Sequence, residues 1–295
     1  MDYCEYRFKK RPPFLEGCFH WKERGYSFAS SPNVALLAPE ALRSADPWVR
    51  LAAALEFAKK GDRSHVSDLT DLVQDESVDP TLAGGILDLI ADAGARSDLE
   101  FLARLMLEGA DFVKIEAVRS ARWAGVLWLI PYMANVIEST PRRADRDTVE
   151  AAISALLDPL SGSELSFFDC SDSPRTYAER VARRVDELAS RAGTDEAVAF
   201  AGELIDMRKL ILHMQARLTA PAEDLWGDFL LLRHKFEAYT GADCSKFYRN
   251  GDFRPLSARV VVEDFIRANP DLNFQVGHRY FFMHELSGKG CRADR

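Results

Sequence analysis

The sequence predicts a mostly α fold: helical hairpins stacked into a solenoid, with a small irregular or β-containing cap at each end. Three observations carry that expectation. Helical periodicity rich in Ala and Leu begins abruptly at Asp46. A capped helical segment then recurs at a near-constant spacing. Both ends of the chain instead combine aromatic residues with helix-breaking prolines.

Residues 1–45 form the N-terminal cap. Pro12, Pro13, Pro32 and Pro39 interrupt helices there, and Tyr3, Tyr6, Phe8, Phe14, Phe19, Trp21, Tyr26 and Phe28 favour short strands or a packed lid. Residues 46–160 hold the repeats. The first runs from Asp46-Pro47 to Gly61, the second from Asp79-Pro80 to Gly94, and the third from Asp111 to Gly125. Asp is a favourable N-cap, Pro fits the first helical position, and Gly closes a helix, so each segment reads as a capped helix. A second apolar-periodic stretch follows each Gly, at 66–73, 99–107 and 127–137, completing a hairpin. One hairpin cannot bury its apolar face alone, and stacking supplies the core.

A further helix is expected over 146–157, ended by Asp158-Pro159. Residues 161–240 continue the array with long helices at 175–192, 195–218 and 222–239, preceded by a Ser-rich loop at 161–174. Residues 241–295 form the C-terminal cap: one helix over 256–268, stopped by Asn269-Pro270, and one extended aromatic strand over 273–286.

Charge narrows the partners. Of 295 residues, 46 are acidic and 38 basic, a net charge of −8, and the imbalance is local. Residues 46–160 carry 12 basic and 20 acidic side chains (−8), and 161–240 carry 10 and 14 (−4). Residues 1–45 and 241–295 are each +2, with 7 against 5 and 9 against 7. An acidic body repels phosphate backbones, which argues against a nucleic-acid partner, and attracts a basic protein. Five scattered cysteines, an odd number without a Cys-x-x-Cys pair, read as reduced thiols. The N-terminus lacks a signal-peptide core, and the most apolar run, 126–137, is too short to span a bilayer and contains Pro131 and Asn135. A soluble cytoplasmic protein without a membrane partner is expected.

Chemistry leaves few marks. No phosphate-binding glycine loop and no Gly-x-Ser-x-Gly elbow occurs. Cys4, Cys18 and His20 lack paired zinc spacing. His278 and His284, an even number apart, would share a face of one strand. His213 and His234 lie on separate helices, where ordinary partly buried histidines are the default. Trp48, Trp123, Trp128 and Trp226 read as core packing. No catalytic residue, metal or cofactor is expected. The candidate partner-binding group lies in the 161–174 loop, where Phe167 and Phe168 sit among Glu164, Asp169 and Asp172. Aromatic anchors rimmed by acids suit a protein interface, although the phenylalanines would equally serve as plugs between repeat blocks.

Two resemblances add to this reading. The first repeat resembles a HEAT repeat, whose first helix carries Asp-x-x-Val-Arg-x-x-Ala, matched by Asp46, Val49, Arg50 and Ala53. The third repeat matches more loosely through Asp111, Val113, Lys114 and Ala117. The block Gly277-His278-Arg279-Tyr280-Phe281-Phe282-x-His284 resembles the C-terminal signature of mostly helical immunity proteins from bacterial polymorphic toxin systems. That resemblance implies a cytoplasmic binder without enzymatic activity that neutralises a cognate toxin. The rivals are a HEAT-like DNA glycosylase, which the acidic repeats disfavour, and a generic protein-binding scaffold.

Overall fold

The computed structural model describes residues 19–22, 25–28, 37–74, 78–159, 173–219, 226–249 and 252–286. The described chain is mostly helical, with short two-stranded antiparallel hairpins.

The repeat helices begin where local chemistry directs them. Asp46 accepts a hydrogen bond from the Trp48 amide (2.9 Å) and starts α1 (Pro47–Lys59). Asp79 does the same for the Thr81 amide (2.8 Å) at the head of α3 (Pro80–Ala93). In both, Pro occupies the first turn, where its missing N–H costs nothing. The third repeat departs from this pattern. Asp111 is the first residue of α5 (Asp111–Ala124) rather than its cap, because Ala110 is the last extended residue and no Pro fixes the boundary one position later. Asp111 still sits where the helix dipole favours a carboxylate. Glycine at the helix ends also divides. Gly125 ends α5 in the left-handed region (φ +62°), whereas Gly94 after α3 is extended.

The returning helices are α2 (Thr70–Gln74), α4 (Arg96–Glu108) and α6 (Ile130–Ser139), followed by α7 (Arg143–Leu157) and α8 (Pro174–Ala192). Helices α1, α3, α5 and α7 pack successively into one layer, and α4, α6 and α8 into a second. Between the layers runs one continuous apolar core, from Trp48 to Leu286. Leu51, Leu55, Leu89, Ile90, Leu99 and Ile130 are fully excluded from solvent there. Each such side chain contributes about 2 kcal/mol of transfer free energy.

The chain then leaves the expected pattern. Residues 195–206 do not extend the next helix. They form a turn and the hairpin β3 (Ala199–Phe200) with β4 (Glu203–Leu204), and α9 starts at Met207 and ends at Thr219. Tertiary bonds outweigh the helix propensity of this Ala-rich stretch. The Leu127 amide donates to the Ala197 carbonyl (2.9 Å), and the Ala199 amide to the Gly125 carbonyl (2.8 Å). Helix α10 (Trp226–Thr240) follows, and its described side chains from Phe229 onward are all buried or half-buried. The hairpin β1 (Phe19–Lys22) with β2 (Gly25–Phe28) lies against α10. A further small hairpin, β5 (Tyr248–Arg249) with β6 (Asp252–Phe253), leads into α11 (Pro255–Ala268), which packs on α9.

The expected aromatic strand over 273–286 is instead a tight hairpin, β7 (Tyr280–Phe281) with β8 (His284–Glu285). Its two-residue turn, Phe282-Met283, has both residues at positive φ (+47° and +68°). The reversal separates the histidines expected to share a strand face. His278 Nδ1 pairs with Glu285 (2.7 Å), and the His284 ring lies over Gly61, where a Cβ would come within 3.0 Å of Nδ1.

Candidate functional site

The most unusual chemistry of the molecule is buried rather than displayed. Helix α10 places Arg233, His234, Lys235 and Glu237 in its interior, each 1–2% exposed. Ionisable groups reach such positions only when hydrogen-bonded or paired. The partners of His234 and Lys235 come from the first layer of the stack, whereas Glu237 accepts from the Cys244 amide (3.4 Å). On α3, Asp88 and Asp92 lie one turn apart and both point inward. On α5, the corresponding turns carry Ser120 and Trp123.

These residues form a polar seam between α3, α5 and α10. Asp88 accepts from the Ser120 hydroxyl (2.7 Å). Asp92 Oδ2 lies 2.8 Å from His234 Nε2. The His234 imidazole stacks on the Trp123 indole, with centroids 3.7 Å apart and planes within 16°. The Arg122 guanidinium lies 4.2 Å from the centroid of the same indole. Lys235 Nζ donates to the Trp123 carbonyl, and its charge lies 5.6 Å from the Tyr239 ring centroid. Burial pushes the Lys235 ammonium down to about 7, against the pull of the Asp92 carboxylate and with help from Arg279. Burial likewise holds Arg122 down at about 10 despite Asp88, and raises the Tyr239 phenol.

The C-terminal hairpin clasps this seam. Arg279 sends its guanidinium into the end of α3, donating to the carbonyls of Ala91 (2.8 Å) and Gly94 (3.1 Å). Those carbonyls have no partner within their own helix, so the cation supplies both a hydrogen bond and a favourable dipole contact. The turn amides of Phe282 and Met283 donate to the Ala238 and Tyr239 carbonyls (2.7 and 2.8 Å), closing the end of α10. The β3–β4 hairpin repeats the device. Its turn residues Ala201 (φ +53°) and Gly202 (φ +81°) donate to Ala155 and Leu156 near the end of α7. Gly277 joins the two hairpins: its carbonyl accepts from the Val198 amide and its amide donates to the Ile205 carbonyl, both at 2.8 Å.

In this frame most of the 277–284 block is structural. Arg279, Tyr280 and Phe281 are buried, and its glycine and turn residues serve as backbone clamps. Trp123 is likewise more than core packing, because it carries the seam's imidazole on its face. His234 meets Asp92 rather than His213, which instead lines a surface cleft of about 250 Å³ together with Phe200, Leu204, Lys209 and Leu232.

Glu164, Phe167, Phe168, Asp169 and Asp172 lie outside the described residues. The segment that holds them is fixed on both flanks. The β3–β4 turn caps the end of α7 before it, and the Ser173 hydroxyl, accepting from the Thr176 amide, starts α8 after it. No family model, curated protein or solved structure matches the chain.

The Asp92–His234 pair has the orientation of a proton-relay dyad, but both side chains are 2% exposed. Of the described seam hydroxyls, that of Ser120 is committed to Asp88 and the Tyr239 phenol is buried. A solvent-borne substrate does not reach the imidazole in this conformation. Among the described residues, no three His, Cys, Asp or Glu side chains gather to hold a metal, and no helix is long and apolar enough to cross a membrane. Sequence reasoning passed over the seam, although one signal was present. Arg233-His234-Lys235 sits in a helix whose apolar residues, from Phe229 to Tyr239, fall on every side, and such a helix is buried all round.

Proposed function

We propose that the chain is a cytoplasmic protein-binding module of the immunity type, neutralising a cognate bacterial toxin by direct contact. The observation that carries this reading is a stack of helical hairpins whose sequence is acidic, although Glu56, Asp88, Asp92, Asp98 and Glu116 of that segment are buried. The 46–160 segment is −8, and the described interior polar groups serve packing. The HEAT-like first repeat and the C-terminal block resembling immunity proteins support it. The burial of that block makes the resemblance one of scaffold, so partner choice is assigned elsewhere, to the acidic repeat surface and the 161–174 loop. A basic toxin surface is the expected counterpart, since complementary charge speeds encounter while aromatic anchors hold the complex.

The test looks for a toxin gene beside this chain's own and measures binding to its purified domain; no such gene, or no binding, refutes the reading. Reversing Glu164, Asp169 and Asp172 to Lys slows association and steepens its salt dependence. Replacing Phe167 and Phe168 with Ala speeds dissociation, at a cost of about 2 kcal/mol for a hot-spot anchor. Both variants must keep the parent's thermal stability. If they do and still protect cells as well as the parent, the loop is not the interface. Salt-sensitive binding of duplex DNA in place of toxin binding would favour the glycosylase reading.

A further inference from the structure

The seam between α10 and the helical stack is built from an unusual set of groups. His234 pairs with the Asp92 carboxylate, whose charge also acts on the buried Lys235 and Arg279. Asp92 is engaged by His234, and Arg279 by the carbonyls ending α3. Lys235 donates to a neutral carbonyl, that of Trp123, and to no carboxylate among the described residues. The groups that act on it are Asp92 from α3 and Arg279 immediately before β7, with Tyr239 from α10 itself and the Trp123 carbonyl from α5. Arg233 and Glu237 act instead on the Cys244 segment, and His213 of α9 belongs to the surface cleft.

A proton on Lys235 therefore places a second buried cation beside Arg279, with Asp92 already shared. The clamp that holds α10 in place is itself strained, because its turn forces Phe282 and Met283 into the left-handed region. Closing α10 onto the stack thus combines a polar, charge-sensitive contact with a costly turn.

We propose that α10 and the β7–β8 hairpin form an acid-sensitive latch on the α3–α5 layer of the helical stack, closed while Lys235 is uncharged and opened as it takes up a proton. In the open form Lys235 meets water and binds its proton at the ordinary lysine strength. Protons therefore bind the open form more tightly, and acidification drives opening. The closed-state ammonium near 7 places the response between pH 9 and pH 6. Over that range linkage predicts a rise of about 100-fold in the opening equilibrium.

The latch is read by hydrogen exchange on the intact protein, with rates corrected for the intrinsic pH dependence of amide exchange. Opening of 229–240 and 279–286 should increase about 100-fold from pH 9 to pH 6, while 99–107 and 130–137 stay protected. Lys235→Met should abolish the increase, and Lys235→Leu serves if Met does not fold. Unchanged protection in the unaltered protein overturns the proposal. So does parallel opening of 99–107, which would mark global unfolding, or an equal response in both Lys235 variants.

Discussion

Adjacent turn residues with the same backbone handedness should respond in opposite directions to the same substitution. Phe282 and Met283 form the two-residue turn of the β7–β8 hairpin, with φ of +47° and +68°. Such turns favour Asn-Gly, and a left-handed conformation costs an ordinary residue about 1–2 kcal/mol. Met283 is 43% exposed, so Met283→Gly removes that strain while losing little packing. Glycine returns about 0.5–1 kcal/mol through its greater freedom when unfolded. The net expectation is a gain of about 1 kcal/mol. Phe282 has the same strain but a packed ring. It fills the space over Gly241, where a Cβ would come within 2.7 Å of Cδ1, and lies 4.9 Å from the Phe281 ring and 5.5 Å from Lys59 Nζ. Phe282→Gly gives up that packing, and the loss exceeds the relief by about 2 kcal/mol. Urea titration should show Met283→Gly shifted to higher denaturant and Phe282→Gly to lower, with unchanged slopes. A destabilised Met283→Gly, or a Phe282→Gly as stable as the parent, would refute the assignment of strain and packing at this turn.

The same reasoning yields further outcomes. Gly125→Ala should cost about 2–3 kcal/mol in denaturant titration, because the new Cβ would lie 2.7 Å from the Ala199 carbonyl at a backbone φ of +62°. Asp79→Ala should cost about 1 kcal/mol by thermal melting, and Asp111→Ala only a few tenths, roughly the value of a dipole contact, since only Asp79 bonds a helix amide. Alkaline pH acts through Cys244 and Tyr239, whose burial raises both above their ordinary values of 9.0 and 10.0. The unfolded thiol and phenol ionise first, so these groups take stability away as pH rises past 9, and Cys244→Ala should remove the earlier part of that decline in a pH series of unfolding curves.

Local signals specified the starts of helices well. Asp46-Pro47 and Asp79-Pro80 begin α1 and α3 because cap and fixed φ act within one turn. Asp111, without the proline, was misplaced by one residue. Local signals failed where distant backbone decides. Residues 197–202 are Ala-rich and helix-compatible, yet their amides and carbonyls join Gly125 and Leu127, and a hairpin results. The turn at Phe282-Met283 carries no turn chemistry at all. Its shape follows from the two carbonyls it closes at the end of α10. The seam was hidden for the same reason, since Asp92 and His234 are 142 positions apart.

The hairpins and the seam together constrain where a partner can act. Helix α10 covers the α3–α5 layer of the stack through His234 and Lys235. Hairpin turns then seal α7 and α10 by donating amides that a ligand would otherwise supply. On the proposed reading, with the latch closed, a partner would meet the outer surface of the repeats and the segment between α7 and α8. That segment begins beside a helix end fixed by Ala201 and Gly202 and finishes at a helix start fixed by Ser173. Opening the latch would expose a second, chemically different surface, the Asp92 and Trp123 face of the stack. A partner that required acid to bind would be reading that face rather than the loop.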